Sequence, residues 1–374
     1  MQSCDVLIVG GGPAGSSCAW GLRSSGLQTL VLDKSRFPRN KVCGGWITPW
    51  VIESLAIDIN DYAHNRTLQP ITGFRISSMA GPESEIRYAR AISYGIRRCE
   101  FDEYLLRRSG APLRDCAPVT GLERSGDSWI VNGEIKARLL VGAGGHFCPI
   151  SRYMGNTNHE EPVVAQEIEF EMTACQAALC TIQQEVPELY FCNDMLGYGW
   201  CFRKGNFLNI GLGRLDQHGL SQHVERFVTF LRATGKIKFE LPVRFSGHAY
   251  LLFENSRRKL VGDSMMLIGD AAGLAYNQSG EGIRPAIESG LLAAQVIASA
   301  QHQYTQERLR PYAAMLAERF NHKPNPAQAF ASHLPARLRN GLARLLLRTE
   351  WFCRTVVLEN WFLHLNQAGA APAP

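Results

Sequence analysis

No run of about 18 uninterrupted apolar residues occurs anywhere in the 374 residues, so the sequence offers no membrane-spanning helix. The opening stretch, MQSCDVLIVGGG, has no basic segment, and its apolar run enters glycines instead of a cleavage site, which argues against a secretory leader. Charge of one sign is scarce. A net charge of +5 leaves room for an anionic ligand or loose contact with anionic lipid, and does not point to nucleic acid. The eleven cysteines are odd in number and scattered from Cys4 to Cys353, with no disulfide framework. Reduced thiols and a cytoplasmic chain are therefore expected. Metal spacing is missing too: His146 and Cys148 stand alone, and Cys192 and Cys201 add no partner set.

What is present is an ordinary globular composition, 45% apolar and 20% charged, in a chain long enough for two lobes. Residues 5–9 (DVLIV) read as a buried strand. Residues 14–25 (AGSSCAWGLRSS) read as a helix closed by Gly26, and 28–32 (QTLVL) as the next strand. This is a β-α-β unit with parallel strands. Between the first strand and the helix stand Gly10, Gly12, Pro13, Ala14 and Gly15, a G-x-G-x-x-G pattern. The first glycine permits the tight turn. The second lets the backbone approach a pyrophosphate, and the third lets helix and strand pack closely. Phosphates would then meet free N–H groups at the helix terminus. Asp33, followed by Lys34, ends the second strand, where a carboxylate accepts hydrogen bonds from a ribose. The pattern does not recur, so a second nucleotide-binding domain has no support. The segment SWIVNGEIKARLLVGAGG reads as two short strands around a turn and a third entering glycines. Residues 99–109 and 281–300 read as helices. Residues 162–213 and 237–262, rich in β-branched and aromatic residues, suggest a mixed or antiparallel sheet forming the wall of a substrate lobe.

The glycine turn alone does not choose between FAD and NAD; a second glycine-rich segment bears on that choice through a resemblance. Gly269-Asp270-Ala-Ala-Gly follows the strand MML. Ser279-Gly280-Glu281-Gly282-Ile283 then leads into a helix. Together these resemble the second FAD signature of the para-hydroxybenzoate hydroxylase-like flavoproteins. The resemblance implies that Asp270 binds the ribityl chain and that the helix after Gly280, Gly282 and Ile283 faces the isoalloxazine. A helix N-terminus there favours the anionic reduced flavin. Arg98 matches the family's R-x-x-F-D pattern, with an implied approach to the cofactor phosphate or flavin edge. In V-G-A-G-G, Gly144 stands where the family has aspartate.

Three features resemble the geranylgeranyl reductase subgroup, flavoenzymes that saturate prenyl C=C bonds. They are Lys41-Val-Cys43-Gly-Gly, Ser279 to Ile283, and Gly197-Tyr198-Gly-Trp200-Cys-Phe202, with Arg203 where proline is usual. The resemblance implies that Cys43 assists at the reacting alkene; a small buried residue filling space beside the cofactor is the alternative. Trp46, Tyr198, Trp200 and Tyr276 are candidate walls of a substrate cavity, or else core aromatics. The implied fold is α/β, a Rossmann-type FAD-binding domain interleaved with a mixed or antiparallel β-sheet substrate domain, plus C-terminal helices. The expected division is 1–160 and 263–310 for the FAD-binding domain, 161–262 mainly for the substrate sheet, and 311–374 for a helical region and tail with a bend at Pro324 and Pro326. The implied activity is reduction of isoprenoid C=C bonds by hydride from reduced flavin, with NAD(P)H or a reduced ferredoxin or reductase as donor. The alternative is a flavin-dependent monooxygenase or halogenase-like enzyme acting through a C4a-hydroperoxide. Halogenases of this kind usually carry W-x-W-x-I-P, of which only one tryptophan is present. Residues 334–365, rich in Arg, Leu, Trp and Phe, read either as helices closing the substrate lobe or as an interfacial surface for a membrane-borne lipid.

Overall fold

The computed structural model describes residues 1–156, 160–216, 218–242, 244–320 and 335–365. The first strand, Gln2–Val9, lies centrally in an eight-stranded sheet, parallel to Ile135–Gly142 on one side and to Thr29–Leu32 on the other. Its run VLIV is covered on both faces, as a parallel strand requires. The helix Pro13–Leu22 follows, with proline at its start and small residues facing the helix Ile283–Ser299. The two helices pack so tightly that a Cβ on Gly290 would stand 2.4 Å from the Ala14 carbonyl oxygen.

The three short strands expected from 128–145 are two. Asn132 and Gly133, at φ 53° and 69°, turn Ser128–Val131 into the single long strand Ile135–Gly142. Positive φ at both turn residues is the hairpin geometry that Asn-Gly favours. KARLL contains no turn residue, so nothing interrupts the second strand.

The second sheet has seven strands, in the order Ser246–Tyr250, Val163–Glu171, Phe207–Arg214, Gly197–Lys204, Glu188–Phe191, Gly73–Ser78 and Ser84–Arg87. It is mixed: Glu188–Phe191 runs parallel to Gly73–Ser78, and the other pairs are antiparallel. Period-two alternation gives it two distinct faces. Cys201, Leu208, Ile210 and Leu212 pack under the amphipathic helix Leu220–Ala233, through Phe227 and Leu231. Trp200 and Phe202 point the opposite way, into a second apolar cluster with Trp46, Phe74 and the C-terminal Val357 and Phe362. A small sheet of Trp46–Ile47, Leu68–Ile71 and Ser93–Ile96 joins the layers.

The chain ends in the helices Gln306–Phe320 and Ala336–Leu346 and the π-helical stretch Phe352–Phe362. Pro324, Pro326 and the terminal AGAAPAP lie outside the described residues. Among the described residues, no helix is long and apolar enough to cross a membrane.

Candidate functional site

A cavity of about 630 Å³ runs from the glycine turn after the first strand to the cluster of Trp46, Trp200 and Phe362. At its first end the helix Pro13–Leu22 presents an open N-terminus. Gly12 is its N-cap, and no side chain caps the first turn. The first turn is thus left without a side-chain cap where Gly12, Pro13 and Ala14 line the cavity, the arrangement in which a helix N-terminus receives an anion. Gly10 sits at φ +118°, and a Cβ there would lie 2.3 Å from the Ala143 carbonyl oxygen. Gly15 is buried behind the turn, where a Cβ would lie 1.9 Å from the Gly10 carbonyl oxygen. Gly10, Gly12, Pro13 and Ala14 line the cavity and Gly15 supports them. Asp33 and Lys34 lie on the wall at the end of the second strand. The Asp33 carboxylate accepts the Gly11 and Ser35 N–H groups, each at 2.8 Å.

Arg98 begins the helix Arg98–Arg108 and is buried against the cavity. Its guanidinium grips Asp102 twice, at 2.8 and 2.9 Å, and Arg39 meets the same carboxylate at 3.1 Å. Burial works against the Arg98 cation. The Asp102 carboxylate and the Cys43 side chain beside it outweigh this and hold its pKa above the ordinary arginine value. Cys43 lines the cavity half-buried, and its Sγ accepts the Gly45 N–H at 3.4 Å.

Opposite lie Asp270 and the turn before the helix Ile283–Ser299. Asp270, Gly280, Gly282 and Ile283 line the cavity. Gly269 packs beneath them, with a Cβ position 2.8 Å from the Ala14 methyl. His248 Nε2 lies 3.3 Å from Asp270 Oδ2, and Lys41 Nζ lies 3.2 Å from the His248 ring. Burial opposes the Asp270 anion, but the His248 bond and the nearby Lys41 and Arg98 charges hold the carboxyl down at about 2. Burial also lowers the His248 and Lys41 pKa values.

The far end of the cavity is aromatic. Trp46, Tyr198, Trp200, Phe202 and Phe362 line it. On the strand Gly197–Lys204 the even positions face the cavity, so Tyr198, Trp200 and Phe202 arrive together. Gly211, on the neighbouring strand, leaves room for the indole: a Cβ there would stand 2.1 Å from Trp200 Cζ2. The Trp200 N–H donates to Asn209 Oδ1 at 2.7 Å, and the Tyr198 hydroxyl donates to the Ser279 carbonyl. Tyr276 is elsewhere: it is buried behind the wall, its ring 3.8 Å from that of His364. Proximity in sequence to the flavin signature does not bring it to the cavity, because its ring packs against Phe320 and His364 and its hydroxyl accepts from Arg319 at 3.1 Å.

Sequence reasoning missed Phe202, His248, Tyr250 and Phe362 on this wall. Phe202 was reachable from the parity of Tyr198 and Trp200. His248 faces inward because it pairs with Ala165, a register the sequence does not display. Gly144 also lines the cavity, and a Cβ there would meet Cys148 Sγ at 3.3 Å, so little space exists for the aspartate that the family pattern would put at this position.

These donors suit FAD. The uncapped helix terminus and the side-chain-free turn suit a pyrophosphate, and Asp33 suits a ribose. The long cavity leaves Asp270 and the start of a second helix for the flavin half.

Residues 5–101 match the family model described as FAD dependent oxidoreductase. A digeranylgeranylglycerophospholipid reductase of Methanocaldococcus jannaschii is 29% identical over 325 residues, spanning 82% of this chain and 81% of the relative. A menaquinone reductase of Mycobacterium tuberculosis is 28% identical, spanning 85% of this chain and 81% of that protein. Among solved structures, a geranylgeranyl bacteriochlorophyll reductase-like protein of Thermoplasma acidophilum superposes with a TM-score of 0.73 at 22% identity, covering 93% of this chain and 88% of that one. A flavin-dependent brominase superposes with a TM-score of 0.69 at 17% identity, covering 97% and 93%. The chain is thus similar over most of its length to digeranylgeranylglycerophospholipid and menaquinone reductases, matches an FAD dependent oxidoreductase model at its N-terminal end, and shares the fold of the geranylgeranyl bacteriochlorophyll reductase-like protein.

Proposed function

We propose that the protein reduces C=C bonds of an isoprenoid lipid. The observation that carries this reading is the aromatic extension of the cavity beyond the nucleotide cradle, with Cys43 at the junction of the two. The relatives are named for a digeranylgeranyl lipid and for menaquinone, both isoprenoid molecules. Bound FAD, once reduced by NAD(P)H or by a reduced ferredoxin or reductase, supplies the hydride.

The chain's own residues do the rest. The free N–H groups of the Pro13–Leu22 helix bind the pyrophosphate, with Asp33 on the ribose and Asp270 on the ribityl chain. Trp46, Trp200, Phe202 and Phe362 hold the prenyl chain and exclude water from the reacting carbons. Cys43 Sγ–H gives the alkene its proton on the carbon next to the one that receives hydride. Arg98, beside the sulfur, stabilises the thiolate left behind until solvent returns a proton.

We further propose peripheral contact with a membrane. Leu338, Leu342 and Leu345, spaced i, i+4 and i+7, are 64, 45 and 59% exposed, and Trp351 is 65% exposed. Exposed Arg337, Arg344 and Arg348 flank this stripe on one side and Arg339 on the other. The opposite side docks, through buried Leu347 and an Asn340 bond to the Asp194 carbonyl at 2.9 Å. A basic helix with an outward leucine face suits an anionic bilayer. Equal pelleting with anionic liposomes of the parent and of a variant with Glu at 337, 339, 344 and 348 would refute this contact.

Anaerobic stopped-flow spectroscopy tests the main reading. Dithionite-reduced holoenzyme is mixed with a panel of prenyl lipids, and separately with oxygenated buffer. Alkene-dependent reoxidation without oxygen is expected. Reoxidation by oxygen alone, with one O₂ consumed per oxygenated product, would replace the reading with monooxygenation.

A further inference from the structure

Beneath the Cys43 loop lies a buried polar group for which the proposed reaction has no use. Glu167, Glu169, Lys204 and Asn209 come from three adjacent strands, on the face that carries Trp200 and Phe202. Glu167, Lys204 and Asn209 are 7, 1 and 0% exposed. Strand positions of this kind are ordinarily apolar, and burying polar atoms there is costly unless each finds a partner. Here each does. Lys204 Nζ donates to Glu169 Oε1 at 2.7 Å and to the Ile96 carbonyl at 2.8 Å. Asn209 accepts the Trp200 N–H and donates to Glu169 Oε1 at 3.3 Å.

The remaining bonds converge on one residue. Glu167 Oε2 accepts the Cys43 N–H, and Asn209 Nδ2 donates to the Cys43 carbonyl at 3.1 Å. Both main-chain polar groups of Cys43 therefore end on side chains of the second sheet. Cys43 itself is more than a hundred residues away in sequence. Fixing the peptide on both sides of a Cα fixes the direction of its Cα–Cβ bond. For Cys43 that direction places Sγ on the cavity, beside Arg98 and the Gly45 N–H.

We propose that Glu167 and Asn209 are positioning residues that clamp the Cys43 main chain from below and so aim its thiol into the cavity. This rests on the reading of Cys43 as the reacting thiol. It adds a link to the substrate wall, because the Asn209 amide that holds the Cys43 carbonyl also holds the Trp200 indole. Thiol and wall are thus set by one side chain. Burial pushes the Glu167 carboxyl up to about 8, so glutamine matches it in charge and shape at neutral pH.

The test measures the iodoacetamide alkylation rate of Cys43 in the full-length chain, resolved by mass spectrometry, with and without FAD. Parent, Glu167→Leu, Asn209→Leu and Glu167→Gln are compared. Loss of one such bond should speed alkylation of half-buried Cys43 about fivefold in the two leucine variants, while Glu167→Gln stays at the parent rate. Buried Cys18 and Cys201 in the same chains report global opening and should not change. In turnover of a prenyl lipid, Glu167→Leu should lose kcat with KM held, whereas Asn209→Leu, which also releases the Trp200 indole, should lose kcat and raise KM. Parent-like Cys43 rates in both leucine variants would overturn the proposal, as would Cys18 and Cys201 accelerating in step with Cys43. The alkylation result is independent of turnover: if Cys43→Ser reduces the lipid at the parent rate, the role of the thiol fails while the clamp stands or falls on its own measurement.

Discussion

Replacing Gly15 with alanine should destabilise both the fold and the cofactor site. The added Cβ would lie 1.9 Å from the Gly10 carbonyl oxygen and 3.0 Å from Ile8 Cγ2. Neither neighbour can retreat. Ile8 is fully buried in the central strand, and Gly10 is already held against Ala143 at φ +118°. The helix Pro13–Leu22 must therefore lift by about an ångström, against its tight packing on Ile283–Ser299. Overpacking of this kind costs about 1–3 kcal/mol, and the backbone nature of the contact puts Gly15→Ala at the upper end. Alanine's helix propensity returns about 1 kcal/mol, leaving a net loss of about 2 kcal/mol. Lifting the helix also moves the N–H groups proposed to bind the pyrophosphate, so FAD affinity should fall with stability. Urea unfolding of the FAD-free chain and flavin-fluorescence titration measure the two effects. Gly341→Ala is the control: it is also helical, nothing lies within 4 Å of its Cβ position, and it should gain up to about 1 kcal/mol. A Gly15→Ala chain as stable as the parent, with unchanged FAD affinity, would refute the steric argument.

Arg98→Met should cost about 3 kcal/mol in urea unfolding, because it strips a fully buried Asp102 of its two-bond partner, and Arg98→Met/Asp102→Leu should recover most of that loss. Equal stability of the single and double variants would contradict it. Glu167→Gln should alter how stability depends on pH. Burial raises the folded-state pKa of Glu167 to about 8, above its unfolded value. Its contribution is therefore complete below that unfolded value and is lost as pH rises towards 8, at a slope of up to about 1.4 kcal/mol per pH unit. The glutamine variant lacks this slope, so its stability profile between pH 5 and 8 should be flatter than the parent's; parallel profiles would count against a buried neutral acid. Gly211→Ala should push the Trp200 indole off Asn209, shifting tryptophan emission and raising KM for a prenyl lipid, whereas an unchanged spectrum and KM would mean the indole has room to give.

Local rules made the nucleotide half of the site legible. Strand, glycine turn and helix are contiguous, so Gly10, Gly12, Pro13 and Ala14 could be assigned to one place before their neighbours were known. Tyr198, Trp200 and Phe202 share a face for an equally local reason, the two-residue period of a strand. His248, Tyr250 and Phe362 were opaque because their inward aim depends on pairings made far away in sequence: Ala165 with His248, and the C-terminal π-helical stretch against Trp46 and Tyr198. The expected extra strand near residue 139 failed for a different reason. Hydrophobic periodicity changes there from alternating to continuous as the strand passes from a half-covered position to a fully buried one. A change of environment along one strand was read as a break between two.

Cys43 lies where the two kinds of information meet. Its loop follows the second strand of the nucleotide-binding unit, and Arg98, which flanks its sulfur, also belongs to that half of the molecule. The side chains that hold its peptide belong to the second sheet. A thiol mounted on one layer alone would move with that layer whenever the substrate wall adjusted to a prenyl chain. Bonded to both, it keeps its distance from the nucleotide cradle and from Trp200 together. The proposed proton transfer depends on that geometry, because the proton must arrive on one carbon while hydride arrives on its neighbour. The same proposal accounts for polar residues on the cavity face of these strands: Glu167 and Asn209 give up burial energy that valine or leucine would supply, and in return join the layers at Cys43, the residue proposed to deliver the proton.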